Sequence, residues 1–536
     1  MFRIFSSIII LMTGTLAAFG GHPKIAIDLE NVTAGTMIDV IVQFKQPPGA
    51  AHHRKVSRRG GSLKAKLDAV KGGHYSMPAA MLKDLADDPD VAYISPNRSV
   101  HAAMDYSRPT VGADMAFASG WAGTGIGVAV LDSGVSTPPD IDKQISYSQS
   151  FNTFKTDEIY GHGTHVAGII AGTGKDSNGL YKGIAPGAKI IDLRVLDDKG
   201  SGTDSAIIAA IQQAIALKTK YNIRVINLSM GRPIQESYKT DPLCQAVEAA
   251  WKAGIVVVVA AGNSGRDNSQ GTNGYSTITS PGNDPYVITV GAMKTMGTVN
   301  RGDDLIASYS SKGPTLLDHI AKPDIVAPGN RVVGVSTKGV SILEKAYPAN
   351  QVGPAYFKLS GTSMAAPMVS GAAALLLQKF PALTPDQVKA RLMRTASKTF
   401  PAFSTAIDPV TGVAYTSQYD VFTIGAGYLD IWAALNDTTR ATGLALSPTV
   451  VYDAVNKTVS LVSATGVVWG SGVVWGSGVV WGSGVVWGSG VVWGTGVVWG
   501  TSGLPSGTGV VWGTGVVWGT NEPEGESAGI VINGEN

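Results

Sequence analysis

Three side chains in this 536-residue chain are of the types needed to turn a serine into a nucleophile. A serine hydroxyl reacts poorly unless a neighbouring base takes its proton, and that base needs an orienting carboxylate. Asp132, His162 and Ser363 supply these groups, each at the end or start of an apolar segment. Taken singly, such a carboxylate is usually a loop residue and such a serine a helix cap. Their combination predicts covalent catalysis by Ser363.

The segments around the three residues are rich in glycine and small side chains. Asp132 ends the apolar run 127–132, and His162 lies within Gly-His-Gly-Thr-His. Ser363 lies within Gly-Thr-Ser-Met-Ala-Ala-Pro, at the predicted start of an apolar helix that has Pro367 in its first turn. The free N–H groups and the positive dipole end of such a helix would suit a developing oxyanion.

These segments resemble the active-site motifs of the subtilase family of serine endopeptidases, in that family's Asp, His, Ser order. The resemblance implies a subtilisin-like fold, protein or peptide substrates, and a catalytic triad of Asp132, His162 and Ser363. It also implies that Asn263, in Ala-Ala-Gly-Asn-Ser-Gly, donates to the oxyanion with the backbone N–H of Ser363. Two further segments match the edges that bind the substrate backbone as added strands: Gly200, Ser201 and Gly202, and Ser229, Met230 and Gly231.

Residues 105–440, which contain all of these motifs, have the pattern of an α/β domain. Apolar, β-branched runs predict strands at 127–131, 189–195, 225–228, 255–260 and 286–290, and segments of helical character include 205–218, 242–253 and 363–380. Near-continuous apolar strands that alternate with helices indicate a doubly wound, mainly parallel sheet. Ligand sites in such sheets lie beyond the carboxyl ends of the strands.

Residues 1–21 have the layout of a secretory signal peptide. A short basic start at Arg3 is followed by an apolar stretch and then by small residues, which favours cleavage between Ala18 and Gly21 and export of the protein. The alternative, a membrane anchor, needs an apolar run of about 20 residues, and this run is shorter. No other stretch of the sequence is long and apolar enough to predict a membrane span.

Residues 22–104 predict a small, separate α+β unit. Strands are expected at 38–44 and 91–94, and helices at 62–70 and 78–86. The unit resembles the propeptide of subtilases, which implies that it inhibits its own enzyme by occupying the cleft before autocleavage. The boundary is expected near residues 101–105.

The C-terminal part of the sequence has a different composition. A linker at 441–463 precedes a low-complexity region at 464–520, where Val-Val-Trp-Gly recurs every six residues, and an acidic, polar end at 521–536 follows. A period of six does not fit a helix. Three interpretations stay open: a disordered spacer, stacked β-structure, or a module that contacts surfaces, glycans or proteins through exposed tryptophans.

Composition excludes several classes of protein. The net charge of +2 gives no reason to expect a nucleic-acid partner, and a single cysteine, Cys244, excludes an intrachain disulfide and a cysteine-based zinc cluster. The predicted chemistry needs no cofactor. Metal binding is undetermined, although many subtilases use structural Ca²⁺. The competing class is a surface adhesion or scaffold protein with a vestigial peptidase domain.

Overall fold

The computed structural model describes residues 22–26, 29, 32, 35–97, 106–152, 158–408, 411–453, 458–462, 467–469, 473–475 and 534–535. The predicted signal peptide, the predicted cleavage region at 101–105 and most of the repeats lie outside the described residues. The chain divides into two compact units, Met1–Ala103 and Met104–Asn536.

The first unit contains an antiparallel sheet of four strands in the order β2-β3-β1-β4. Its elements are β1 (Met37–Phe44), α1 (Ala50–Ser57), β2 (Ser62–Leu67), β3 (Gly72–Pro78), α2 (Leu82–Ala86) and β4 (Val91–Pro96). Alternate residues of β1, including Val40 and Val42, are fully buried in a core of their own. This pattern is typical of a strand with one face on a core.

The predicted helix at 62–70 is wrong. Residues Ser62–Leu67 form β2, and only Asp68–Val70 make a short 3-10 turn. The apolar residues that suggested a helical face bury little, since Leu63 is 38% and Val70 45% exposed. Pairing with β3 satisfies the backbone of β2, so tertiary hydrogen bonding overrides the weak helical spacing.

The second unit is built on an eight-stranded sheet. Its strands are β5 (Gly127–Asp132), β6 (Ile145–Ser150), β7 (Lys189–Arg194), β8 (Ile223–Leu228), β9 (Val256–Ala260), β10 (Ile288–Lys294), β11 (Leu305–Ile306) and β12 (Ile325–Pro328). The order is β11-β10-β9-β8-β5-β7-β6, and β12 also pairs with β10. All pairs are parallel except β10 with β11. The predicted mainly parallel α/β fold is therefore confirmed.

Helices cover the sheet. They are α3 (Ser107–Thr110), α4 (Ala113–Ala118), α5 (His162–Ala171), α6 (Asp204–Tyr221), α7 (Pro242–Lys252), α8 (Ile342–Ala346), α9 (Thr362–Lys379), α10 (Pro385–Thr395), α11 (Val421–Ile424) and α12 (Ile431–Asn436). Helix α5 packs against α9, and α6 packs against α7; each pair also contacts the sheet. Every residue of β5 is buried, which requires cover on both faces.

Short strands complete the unit in four small antiparallel sheets. They are β13 (Val332–Val335), β14 (Gln351–Val352), β15 (Tyr356–Leu359), β16 (Phe403–Ile407), β17 (Ala414–Gln418), β18 (Thr449–Asp453), β19 (Thr458–Val462), β20 (Val467–Trp469) and β21 (Val473–Trp475). The last two strands come from the first two Val-Val-Trp repeats and pair antiparallel. The interpretations of the remaining repeats concern residues outside those described.

Candidate active site

The parallel sheet brings the predicted catalytic segments to one edge. Asp132 is the last residue of β5, Ser229 follows β8, and Asn263 lies three residues beyond β9. These three strands are adjacent in the order β9-β8-β5, so their carboxyl ends open on the same side.

Asp132 and His162 are in direct contact. Oδ1 of Asp132 lies 2.7 Å from Nδ1 of His162 and also accepts the backbone N–H of Ser133 at 2.8 Å. The carboxylate is fully buried, whereas the imidazole is 17% exposed. Burial opposes a charge on His162, but the charge and hydrogen bond of Asp132 outweigh it and raise the pKa of His162 above its usual value.

Two glycines allow His162 to start α5 beside Asp132. Gly161, the N-cap, has φ +105°, a conformation that other residues rarely adopt. At Gly163, a Cβ atom would collide with the carbonyl oxygen of Gly134. The Gly-His-Gly pattern is therefore required by the backbone turn and by its close approach to the segment after β5.

Glu158 is a site residue that sequence analysis missed. Glu158 is 5% exposed, and its carboxylate accepts the backbone N–H groups of Tyr160 and Gly161, both at 2.8 Å. It also accepts the hydroxyl of Ser133 at 3.0 Å, so it ties the turn before His162 to the residue after Asp132. Burial raises the pKa of Glu158 to about 7. The only signal in the sequence is a carboxylate four residues before the histidine, which is too common a pattern to single out.

Ser363 is the second residue of α9, and Ser229 contacts it twice. The Ser363 hydroxyl donates to the carbonyl oxygen of Ser229 at 3.0 Å, and the Ser229 hydroxyl donates to the carbonyl oxygen of Ser363 at 2.8 Å. Pro367 lies in the second turn of α9, not in the first as predicted. It has no N–H to donate to the carbonyl oxygen of Ser363, four residues earlier. The Ser229 hydroxyl therefore replaces the hydrogen bond that Pro367 removes.

Asn263 is oriented by the residue before Ser363. Its Oδ1 accepts the backbone N–H of Thr362 at 2.9 Å and the Thr362 hydroxyl at 3.1 Å. With the amide oxygen held this way, the Nδ2 donor points away from Thr362 and makes no hydrogen bond within the part of the chain that the structure describes. The backbone N–H of Ser363, in the first turn of α9, has no partner within the helix.

The two predicted substrate-binding edges follow β7 and β8. Ser201 and Gly202 are exposed, and the ring of Tyr160 lies against Gly200, where a Cβ would be 2.7 Å from a ring carbon. The N–H groups of Gly200 and Ser201 and the carbonyl oxygen of Ser201 are hydrogen-bonded to Asp197, so an extended peptide would pair with other backbone groups of this edge.

The second edge holds Ser229, Met230 and Gly231. Ser229 is buried, and Gly231 is exposed and lies close to Thr279, where no side chain would fit. The next residue, Arg232, pairs through its backbone with Ser280 at 3.0 and 2.8 Å.

The structure does not form a hydrogen bond between His162 and Ser363. The two residues begin helices α5 and α9, which pack together, but the Ser363 hydroxyl points to Ser229 instead. Rotation about χ1 alone sets the direction of this hydroxyl, and catalytic hydrogen bonds commonly tighten when substrate binds.

Two further titratable side chains, His165 and Cys244, are buried. His165 lies in α5 with Nε2 at 2.9 Å from the carbonyl oxygen of Phe357, and burial lowers the pKa of His165 to about 4. Cys244 is fully buried, and burial raises the pKa of its thiol. Neither is placed for acid–base or nucleophilic work.

Residues 123–427 match the family model described as "Subtilase family", over more than half of the chain. The chain belongs to the subtilase family. This membership makes it a serine peptidase by family, and the Asp, His and Ser motifs all lie within the matched residues.

Several known proteins are similar to this subtilase. Serine protease AprX of Bacillus subtilis (strain 168) is 39% identical over 334 residues, which cover 60% of this chain and 73% of AprX. Subtilisin E of the same organism is 35% identical over 368 residues, which cover 67% of this chain and 84% of that protein. Among solved structures, sphericase is 32% identical, with a TM-score of 0.42, and the match covers 51% of this chain and 84% of sphericase.

Among the described residues, no helix combines the length and the apolar character that crossing a bilayer requires. Within the same described residues, no cluster of three or more His, Cys, Asp or Glu side chains is arranged to hold a metal ion.

Proposed function

We propose that this subtilase is a secreted endopeptidase that cleaves peptide bonds through Asp132, His162 and Ser363 and processes its own precursor. The observation that carries the proposal is the 2.7 Å contact between the buried carboxylate of Asp132 and Nδ1 of His162. This contact leaves Nε2 as the free nitrogen of the imidazole, directed away from the carboxylate. A base held in this way can take the proton of a nearby hydroxyl. Ser363 lies at the start of α9, which packs against α5, the helix that begins with His162.

In the proposed mechanism, the Ser363 oxygen forms a bond to the substrate carbonyl carbon while His162 Nε2 takes the hydroxyl proton. The carbonyl electron pair moves to oxygen, which accepts hydrogen bonds from Asn263 Nδ2 and the backbone N–H of Ser363. Collapse breaks the C–N bond, and His162 gives its proton to the leaving amine. Water then attacks the acyl-enzyme by the same route, and the acid product and free Ser363 are released. No cofactor takes part in these steps.

The substrate is proposed to bind as an extended strand between two edges of the sheet. Gly200–Gly202 and Ser229–Gly231 lie on the two sides, where Ser201, Gly202 and Gly231 are exposed, and the glycines and serines there leave room for the peptide. The second edge is joined to Ser363 through Ser229, so a peptide paired there would lie beside the nucleophile.

Residues 22–104 are proposed to act as an inhibitory propeptide, and residues 1–21 as the export signal. Mass spectrometry of secreted protein should find a mature N-terminus near residues 101–105. A Ser363→Ala variant should accumulate uncut precursor, whereas Ser119→Ala, a change at an exposed serine, should be processed normally. Normal processing of Ser363→Ala would show that another protease makes the cut.

Hydrolysis itself is tested by the rate of casein or peptide cleavage by purified mature protein. The uncut Ser363→Ala precursor is first cut by parent enzyme, which is then removed, so that both variants are compared without residues 22–104. We expect Ser363→Ala to lose at least about 10⁵-fold in kcat while Ser119→Ala keeps the parent rate. Equal cleavage rates for the two variants would contradict the enzymatic proposal. They would favour the alternative of an adhesion or scaffold protein that has a vestigial peptidase domain and acts through its tryptophan-rich repeats.

A structural Ca²⁺ ion is proposed only as a stabiliser. If one is present, chelation with EDTA should lower the melting temperature, and added Ca²⁺ should restore it. An unchanged melting temperature would remove this proposal without affecting the catalytic one.

A further inference from the structure

A buried carboxylate site lies in the second unit, formed by residues that neither the motifs nor the proposed mechanism uses. The side chain of Glu535 is 3% exposed and forms ion pairs with Arg266 at 2.8 Å and Lys294 at 3.2 Å. The backbone N–H of Ser308 lies 3.1 and 3.2 Å from the two carboxylate oxygens, and the Ser308 hydroxyl also donates to this carboxylate. Two cations and two neutral donors thus surround one acidic side chain.

The site also recognises the backbone of the acidic residue. The side-chain amide of Asn330 donates to the carbonyl oxygen of Glu535 at 2.9 Å and accepts the N–H of Glu535 at 2.8 Å. The preceding residue, Gly534, has φ +73°, and a Cβ there would be 2.6 Å from Arg331 Cγ. The geometry therefore selects glycine followed by glutamate.

The two cations are held in place by the rest of the unit. Arg266 pairs with Asp408 at 2.7 Å, and its guanidinium lies 4.4 Å from the ring centroid of Tyr415. Lys294 is the last residue of β10 and its side chain is only 5% exposed. Burial opposes a charge on Glu535, but the hydrogen bonds of Ser308 and the charge of Lys294 lower the pKa of Glu535 below its usual value. Removal of Glu535 would leave the buried positive charges poorly compensated.

We propose that Arg266, Lys294, Ser308 and Asn330 form a binding site for an acidic peptide, and that its occupant is the Gly534–Glu535 segment of this chain. On the other side of the repeats, β18 is held because Val450 donates its N–H to the carbonyl oxygen of His319 at 2.6 Å. The chain is therefore bound to the second unit both before the repeat region, at β18, and after it, at Glu535. The site does not depend on the proposed catalysis.

The first test uses the full chain in a Ser363→Ala background, which prevents self-digestion. Glu535→Lys introduces a cation between Arg266 and Lys294, and Glu526→Lys makes the same charge change elsewhere in the acidic end. We expect Glu535→Lys to lower the melting temperature by about 4 °C or more and Glu526→Lys by less than about 1 °C. If Glu535→Lys fails to fold, Glu535→Gln compared with Glu526→Gln provides the same contrast in a milder form. Equal shifts in each pair would overturn the proposal.

The second test asks whether the site binds its ligand when the two are not covalently joined. A peptide of residues 530–536, blocked at both ends and carrying a fluorophore, is added to the Glu535→Lys protein, and its fluorescence anisotropy is measured. We expect saturable binding, and at least about tenfold weaker binding of the same peptide with glutamine at the position of Glu535. Absence of binding, or equal binding of the two peptides, would show that these residues are not a site for an acidic segment.

Discussion

The buried carboxylate of Glu158 leads to a specific prediction about stability and pH. Its environment raises its pKa to about 7, from a usual value near 4.5. The folded state therefore favours the protonated form of Glu158. Its contribution to stability is fully present below about pH 4.5 and is lost as the pH rises through about 7.

The size of the effect follows from the shift. A difference of about 2.5 pKa units corresponds to roughly 3 kcal/mol, of which about 2.5 kcal/mol is lost between about pH 5 and about pH 8.5. Glutamine at this position cannot titrate but still has an oxygen to accept the N–H groups of Tyr160 and Gly161. We therefore expect the unfolding free energy of Glu158→Gln, relative to that of the parent, to increase by about 2.5 kcal/mol as the pH rises over the same range.

The measurement is urea unfolding of the full chain in a Ser363→Ala background at about pH 5 and about pH 8.5, with circular dichroism as the signal that monitors unfolding. The matched control is Glu236→Gln, a change at an exposed glutamate. The reasoning is refuted if the difference in unfolding free energy between Glu158→Gln and its parent is the same at both pH values. It is also refuted if Glu236→Gln shows the same change with pH.

Three further predictions concern the candidate active site. Asn263→Ala should lower kcat by about 10²–10³-fold with little change in KM, and Asn268→Ala, at an exposed asparagine, should change neither; steady-state kinetics measures both. The general base must be neutral and the pKa of His162 is raised, so kcat/KM should fall with decreasing pH with a midpoint above about 6.5. A pH midpoint below about 6.5 would contradict the geometry. Asp132→Asn, which removes the orienting carboxylate, should lose about 10⁴-fold in kcat. Gly163→Ala places a methyl group against a backbone carbonyl, so we expect a loss of about 1–3 kcal/mol in unfolding free energy, and an unchanged melting temperature would show that the turn can relax.

The parallel sheet could be predicted because burial on both faces leaves a clear signal in the sequence. Strand β5 is apolar up to its final residue Asp132 and β8 is mostly apolar, and the prediction found both within two residues of their observed ends. The strand predicted at 286–290 was displaced, because pairing with β12 and with β11 carries β10 on to Lys294. Such an extension depends on partner strands elsewhere in the chain, which local periodicity does not show.

The motifs gave the residues around the candidate nucleophile but not the contacts that hold them. Ser229 was predicted from family resemblance as a substrate-binding residue, and its hydrogen bond to the carbonyl oxygen of Ser363 was not foreseen. That contact exists because Pro367 lies one turn later than predicted and leaves this carbonyl without a helical partner. Glu158 and Glu535 were missed for a related reason. Their importance comes from burial beside specific donors, and single carboxylates in a sequence do not reveal it.

The most direct test of the central claim is whether Ser363 is an activated nucleophile. A fluorophosphonate reacts covalently with such a serine, and mass spectrometry of the digested protein locates the adduct. We predict one adduct on mature protein, on Ser363, and at least about 10³-fold slower labelling of His162→Ala whose precursor has been cut by parent enzyme that is then removed. Absence of labelling while a control serine protease reacts, or an adduct on another serine, would contradict the account.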